Sequence, residues 1–156
     1  MLKIIEGDLL EADEKYIVHQ ANCVTTGAGG LAKYLFEKYP FSDIYSKRKK
    51  PDKPGHIIIK GDGKKERFII NLMGQFYPGR SKYNEGDDGP KARQKYFFQG
   101  LLKIAEIENL ESVAFPFMIG CGLACGDWDW YLKILNKFAD SLDPKGIDVI
   151  IYRLPE

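Results

Sequence analysis

Short apolar runs of strand length alternate with amphipathic stretches of helical period along the chain, and few architectures accept that order. Residues 2–5 (LKII) end at a turn-like Glu6-Gly7-Asp8. Residues 16–21 (YIVHQA) are the next strand candidate and run into a polar, glycine-rich segment, NCVTTGAGG. LAKYLFEKY follows, with Leu31, Leu35 and Phe36 on one helical face and Pro40 closing it. HIIIK at 56–60 and RFIINL at 67–72 flank Gly61-Asp62-Gly63, the pattern of a hairpin or tight connection. The spacing Ala92, Tyr96, Leu101, Ile104, Ala105 predicts an amphipathic helix over 91–108. A strand over 113–117, a helix over 128–140 and a last strand over 147–152 complete the series. Such interleaving predicts an α/β fold, a sheet of about six strands with helices on both faces. Residues 73–90 are long, polar and glycine-bearing, a length expected of a lid or a disordered connection. No repeat, low-complexity tract or linker divides the 156 residues, so one domain over 1–156 is expected.

Charge and cysteine content narrow the function classes. The chain carries 23 Lys plus Arg against 22 Asp plus Glu, a formal net charge of +1. That balance does not suit a protein held on nucleic acid mainly by counterion release, though it leaves room for a small anion at one site. Residues 47–50 and Lys53 with Tyr83 make an RNA-groove candidate, without basic-aromatic interleaving, and residues 47–54 read as a solvated loop. Three cysteines, Cys23, Cys121 and Cys125, are too few for a disulfide framework, and C-x3-C without nearby histidine is no zinc pattern. Thiols in a reducing compartment, with no metal and no cofactor, are expected. Met1 leads straight into residues 2–5 without room for a signal peptide, and no apolar run approaches membrane-spanning length. The expectation is a cytoplasmic monomer, with nuclear access in a eukaryote.

Two glycine-rich segments, residues 27–30 and 120–126, each follow a predicted strand and precede a helix. Glycine permits close backbone approach and positive φ, and consecutive N–H groups at a helix N-terminus make an anion nest. Two nests at the carboxyl ends of strands suit a diphosphate or a phosphorylated sugar. Neither loop matches a dinucleotide G-x-G-x-x-G or a G-x-x-x-x-G-K-S/T loop. Trp128 and Trp130, just after the second loop, read as core bulk that braces it.

GDL at 7–9, HQANC at 19–23, GAGG at 27–30 and PFMIGCGLACGDW at 116–128 occur in the order that resembles the macro domain family. The matching elements extend over nearly the whole chain. The resemblance implies a three-layer α/β/α macro domain with a mixed sheet, and ADP-ribose as ligand. The HQANC and IGCGLACG forms are similar to the branch that contains the ADP-ribose 1''-phosphate phosphatases and the terminal ADP-ribose glycohydrolases. Carried over by position, Asp8 would accept from the adenine amino group, with Leu9 beside it, and Asn22 would reach the distal ribose. Gly27, Ala28, Gly29, Gly30 and Leu31 would pass the distal ribose and diphosphate. Ile119, Gly120, Cys121, Gly122 and Leu123 would form the second phosphate loop, and Tyr152 a wall for adenine.

Several catalytic patterns of that family are missing. Leu31-Ala32 stands where one hydrolase type has an aspartate after the glycine loop. Ala124 stands where another has an aspartate after GCGL, and residues 71–75 offer no lysine. The Gly-Gly-Gly…Gln-Glu-Glu signature of poly(ADP-ribose) glycohydrolase is also absent. What the resemblance leaves is His19, with Asp87 and Asp88 of the long loop as base or water-orienting groups. Asp127 reads as a helix cap. The expected activity is metal-independent hydrolysis of ADP-ribose 1''-phosphate to ADP-ribose and phosphate, the charge met mostly by backbone N–H groups. A non-catalytic ADP-ribose-binding module is one alternative. Removal of ADP-ribose from acidic side chains, with ADP-ribosylated protein as partner, is the other.

Overall fold

The computed structural model describes residues 2–81 and 87–155; of the residues singled out above, Met1 and Tyr83 lie outside them. Six strands, β1 (Leu2–Glu6), β2 (Tyr16–Ala21), β3 (Ile57–Gly61), β4 (Phe68–Met73), β5 (Ser112–Pro116) and β6 (Asp148–Arg153), form one sheet in the order β1-β6-β5-β2-β4-β3. All neighbours are parallel except β3, which pairs antiparallel with β4 at the edge. Helices α1 (Gly30–Lys38), α2 (Pro90–Ala105) and α3 (Trp128–Leu142) cover its two faces. The result is a three-layer α/β/α fold with a mixed six-stranded sheet.

The two-residue period of the strands sorts the core. Val18, Ile70, Leu72, Val113, Phe115, Val149 and Ile151 point to the face where Phe97, Leu101 and Ile104 of α2 and Tyr131, Leu135 and Phe138 of α3 pack. Ile17, Ile69 and Ala114 point the other way, onto Leu35 of α1, and Ala21 and Met73 join Ala32 and Phe36. Central strands buried on both faces read as continuous apolar runs, which is why IVH and IIN carry no clean alternation. Gly61 ends β3, and residues 62–67 join it to β4, a longer connection than a tight turn. Asp62 accepts from the N–H groups of Lys64 and Arg67, and Gly63 takes φ +82°.

Two helices pack differently from their sequence spacing. In α1, Ala32, Leu35 and Phe36 are buried, whereas Leu31 stays exposed at the helix start. In α2 the buried face is Arg93, Phe97, Gly100, Leu101 and Ile104, not Ala92 and Tyr96. Gly100 sets that face: a Cβ there would come within 2.6 Å of Leu72 Cγ, so the missing methyl lets the helix lie close on β4. Among the described residues no helix is long and apolar enough to cross a membrane.

Candidate functional site

β2 and β5 are neighbours at the centre of the sheet, and their connections leave to opposite faces, β2 into α1 and β5 into α3. Such a reversal opens a crevice beyond the carboxyl ends of the strands. A cavity of about 550 Å³ occupies it. Gln20 and Asn22 line it from the end of β2, Gly27, Gly29, Gly30 and Leu31 from the first glycine loop, and Gln75 from the end of β4. Residues 116–120 and 122–124 line it from the second loop. Among the described residues the lining has no Lys, Arg, His, Asp or Glu side chain. Nor do the described residues gather three or more His, Cys, Asp or Glu that could hold a metal ion.

The first loop is organised by Asn22. Its Oδ1 accepts from the N–H groups of Val24 (3.0 Å) and Thr25 (2.9 Å) and from the Thr25 hydroxyl (3.1 Å). Its Nδ2 donates to the Tyr45 hydroxyl, which also accepts from the Asn22 N–H. That network fixes which end of the amide is which. Asn22 therefore lines the cavity as the knot of its loop, with its carbonyl already committed. Past the knot the backbone opens: a Cβ on Gly27 or Gly29 would meet no atom within 4 Å.

The second loop holds three left-handed residues, Met118 (φ +65°), Gly120 (φ +76°) and Cys125 (φ +58°). Its glycines divide by cause. A Cβ on Gly120 would stand 2.7 Å from Tyr131 Cε1, and one on Gly126 2.5 Å from the Gly120 carbonyl oxygen. Those two make room for the Tyr131 ring and for the bond from Gly126 N–H to Gly120 O. Gly122 has open space at its Cβ position. The N–H groups of Gly120, Gly122, Leu123 and Ala124 carry no hydrogen bond among the described residues. The two loops touch where Leu123 Cδ1 lies 3.0 Å from the Cβ position of Gly30.

The other residues singled out from the sequence are distributed as follows. Ala28 and Cys121 belong to the two loops but lie behind the cavity lining, with Cys121 buried and its thiol pushed up to about 12 by burial. Asp8 is exposed and caps the short turn Leu9–Glu11 through Leu10 N–H, and Leu9 is core. Tyr152 pairs in register with Pro116 of the cavity wall, and its ring lies under Gly7, 3.2 Å from that residue's Cβ position. Its hydroxyl donates to Glu14, and burial, with that carboxylate, raises it to about 12. Asp127 caps α3 through Asp129 N–H, and Trp128 and Trp130 pack on the core.

The expected catalytic groups are not brought to the cavity. His19 is 1% exposed, on the α1 face of β2, with Nε2 2.5 Å from Asn71 Oδ1 and its ring edge-on to Phe36. Strand alternation puts Gln20, not His19, on the cavity side. Asp88 is buried, accepts from the N–H groups of Phe76 and Tyr77, and pairs with Arg93 at 2.7 Å. Asp87 is exposed and away from the lining, its carbonyl bonded by the Tyr96 hydroxyl. Conversely, Gln20, Gln75, Tyr45 and Ala124 line the site without having been singled out as site residues. The period-2 parity of YIVHQA was the available signal for Gln20. Arg48, read as part of a solvated run, is buried against the first loop.

The family model described as Macro domain matches residues 18–135. Polyprotein P1234 of Venezuelan equine encephalitis virus (strain P676) is 29% identical over 151 residues, 96% of this chain and 6% of the polyprotein. The chain thus spans a small fraction of the viral relatives it matches. A protein of Saccharolobus solfataricus is 29% identical over 148 residues, 91% of this chain and 78% of its own length. Among solved structures, the macrodomain of Mycobacterium tuberculosis DarG superposes with a TM-score of 0.78 at 25% identity, covering 100% of this chain and 99% of that one.

Proposed function

The chain belongs to the macro domain family, and from that premise we propose that it binds ADP-ribose in the crevice between β2 and β5. The observation that carries this reading is the lining itself. Among the described residues it has no charged side chain, two glycine loops with open Cβ positions, and a run of N–H groups left without acceptors. A diphosphate is met by such backbone donors and needs no cation beside it. Asp8 and Tyr152, at the Pro116 side, serve the adenine end; Asn22 and the first loop serve the distal ribose.

Binding without turnover takes precedence over the phosphatase reading, because His19, Asp87 and Asp88 all stand away from the lining. Hydrolysis of ADP-ribose 1''-phosphate stays as the second reading on one observation. Gln20 Nε2 donates to Gln75 Oε1 (2.7 Å), and Gln75 is held in turn by the Tyr77 carbonyl, so a fixed amide pair stands in the cavity. An amide so held can orient an attacking water, as glutamine does in other phosphoryl transfers. For removal of ADP-ribose from acidic side chains, Ala124 lines the cavity where that type needs a carboxylate.

Titration calorimetry with ADP-ribose, with AMP as the partial ligand, tests the binding; phosphate release from ADP-ribose 1''-phosphate tests the second reading. Saturable ADP-ribose binding, tighter than AMP, with no phosphate released is the expected outcome. Failure to bind ADP-ribose refutes the assignment, and turnover abolished by Gln20→Ala moves the conclusion to the phosphatase.

A further inference from the structure

Among the described residues no charged side chain lines the cavity, yet one guanidinium lies directly behind it. The Arg48 side chain is 4% exposed, donates from Nη1 to the Thr25 carbonyl (2.9 Å) and from Nη2 to the Asn22 carbonyl (3.0 Å), and pairs with Asp52 at 2.9 Å. Its guanidinium carbon sits 4.9 Å from the centre of the Tyr45 ring, whose hydroxyl takes both N–H groups of Asn22, main chain and side chain. The Cys23 carbonyl accepts from the Asp52 N–H (2.9 Å). Three carbonyls of residues 22–25 are therefore turned onto one segment, 48–52, and away from the crevice.

The N–H side of the same stretch is equally committed. Cys23 donates to the Phe76 carbonyl, and Val24 and Thr25 donate to Asn22 Oδ1. The loop is thus tied down through Thr25 and open at Gly27 and Gly29. A carbonyl oxygen released from Arg48 would be free to turn toward an anion in the crevice and repel it. Asp52 neutralises the guanidinium, so Arg48 acts on the site by geometry and not by attraction of the ligand at range.

We infer that Arg48 is a positioning residue for the distal half of the ligand, its planar fork holding the Asn22 and Thr25 carbonyls out of the crevice. The inference rests on ADP-ribose being the ligand. Lysine cannot reproduce two divergent donors from one plane, so Arg48→Lys is the conservative variant that separates fork from charge.

The experiment compares wild type, Arg48→Ala and Arg48→Lys by amide hydrogen exchange without ligand and by calorimetry with ADP-ribose and with AMP. The expected result for Arg48→Ala is faster exchange at residues 23–25 and ADP-ribose affinity at least about tenfold weaker. AMP affinity and the salt dependence of binding stay as in wild type. Arg48→Lys, which also serves if the alanine variant does not fold, recovers only part of the loss. Equal loss for AMP and ADP-ribose overturns the inference, since a merely structural role would lower both. Full recovery by lysine also overturns it, because charge alone would then suffice. A wild type that ignores ADP-ribose refutes the ligand; unchanged exchange in both variants refutes the positioning role of Arg48.

Discussion

His19 and Asn71 face each other on paired rungs of β2 and β4, with Nε2 2.5 Å from Oδ1, and neither is reached by solvent. Asn71 Nδ2 is turned to the carbonyls of Ser42 and Ile58, which leaves Oδ1 as acceptor and puts the imidazole proton on Nε2. His19 Nδ1 is then a buried lone pair without a donor among the described residues. A second proton there would place a cation in the interior. Burial accordingly lowers the pKa to about 4, against a smaller opposing effect of the Asn71 bond.

That shift sets a pH window for stability. Folded and unfolded chains both hold His19 neutral above its unfolded value of about 6.5, so the contribution is complete there. As pH falls toward about 4, the unfolded chain takes up a proton that the fold refuses, and stability drops by about 3 kcal/mol in all. Below about 4 the loss levels off. Urea midpoints at pH 7.5, 6 and 5 should fall more steeply for wild type than for His19→Gln. Parallel curves would mean that His19 is not the group that titrates.

The same burial predicts what His19→Ala does to stability and to ADP-ribose binding. Truncation leaves Asn71 Oδ1 unpaired and a cavity beside Phe36, a cost of about 3 kcal/mol. ADP-ribose binding by the folded variant should match wild type, because the ring is no part of the lining. Calorimetry at a temperature well below the melting point separates the effects. Lost affinity in a folded variant would restore His19 to the site.

Asp88 is predicted to be a stability residue. Its carboxylate holds the Phe76 and Tyr77 N–H groups and the Arg93 guanidinium, which is 3% exposed and also donates to the Gly79 and Tyr77 carbonyls. Asp88→Asn leaves that cation buried without its counter-charge, a loss of about 3–5 kcal/mol. Arg93→Met should cost a similar amount, and the double variant less than the sum of the two. Additive losses in chemical denaturation would show that the pair does not act as a unit.

β2 is legible to the residue as YIVHQA, and the glycine loops are legible because a backbone that must approach a ligand needs no partner to declare itself. The polar chemistry is not. His19 is kept neutral by burial, on a ring packed against Phe36 and bonded to Asn71, 52 residues away, and Asp88 is paired in the interior with Arg93. The spacing rule for α2 fails at the same place. It assigns arginine to water, so it rotates the predicted face away from Arg93 and Phe97 and misses that Gly100 seats the helix on Leu72. Arg48 is missed in the same way, hidden in a run of lysines that do remain exposed.

The two causes of glycine in the second loop yield the sharpest test of the ligand reading. At Gly120 a methyl group collides with Tyr131 and takes up φ +76°, a conformation that costs an L-residue about 1–2 kcal/mol before the overlap is counted. At Gly122 the methyl meets nothing within 4 Å. Gly120→Ala should therefore lower the melting temperature and the affinity together. Gly122→Ala should melt with the wild type yet bind ADP-ribose at least about tenfold more weakly, because its methyl would stand where the proposed site brings the diphosphate to the backbone donors. Paired melting curves and titrations on the two variants decide it. If Gly122→Ala binds as wild type does, the diphosphate does not cross this loop, and the open Cβ position and unbonded N–H groups lose their functional reading.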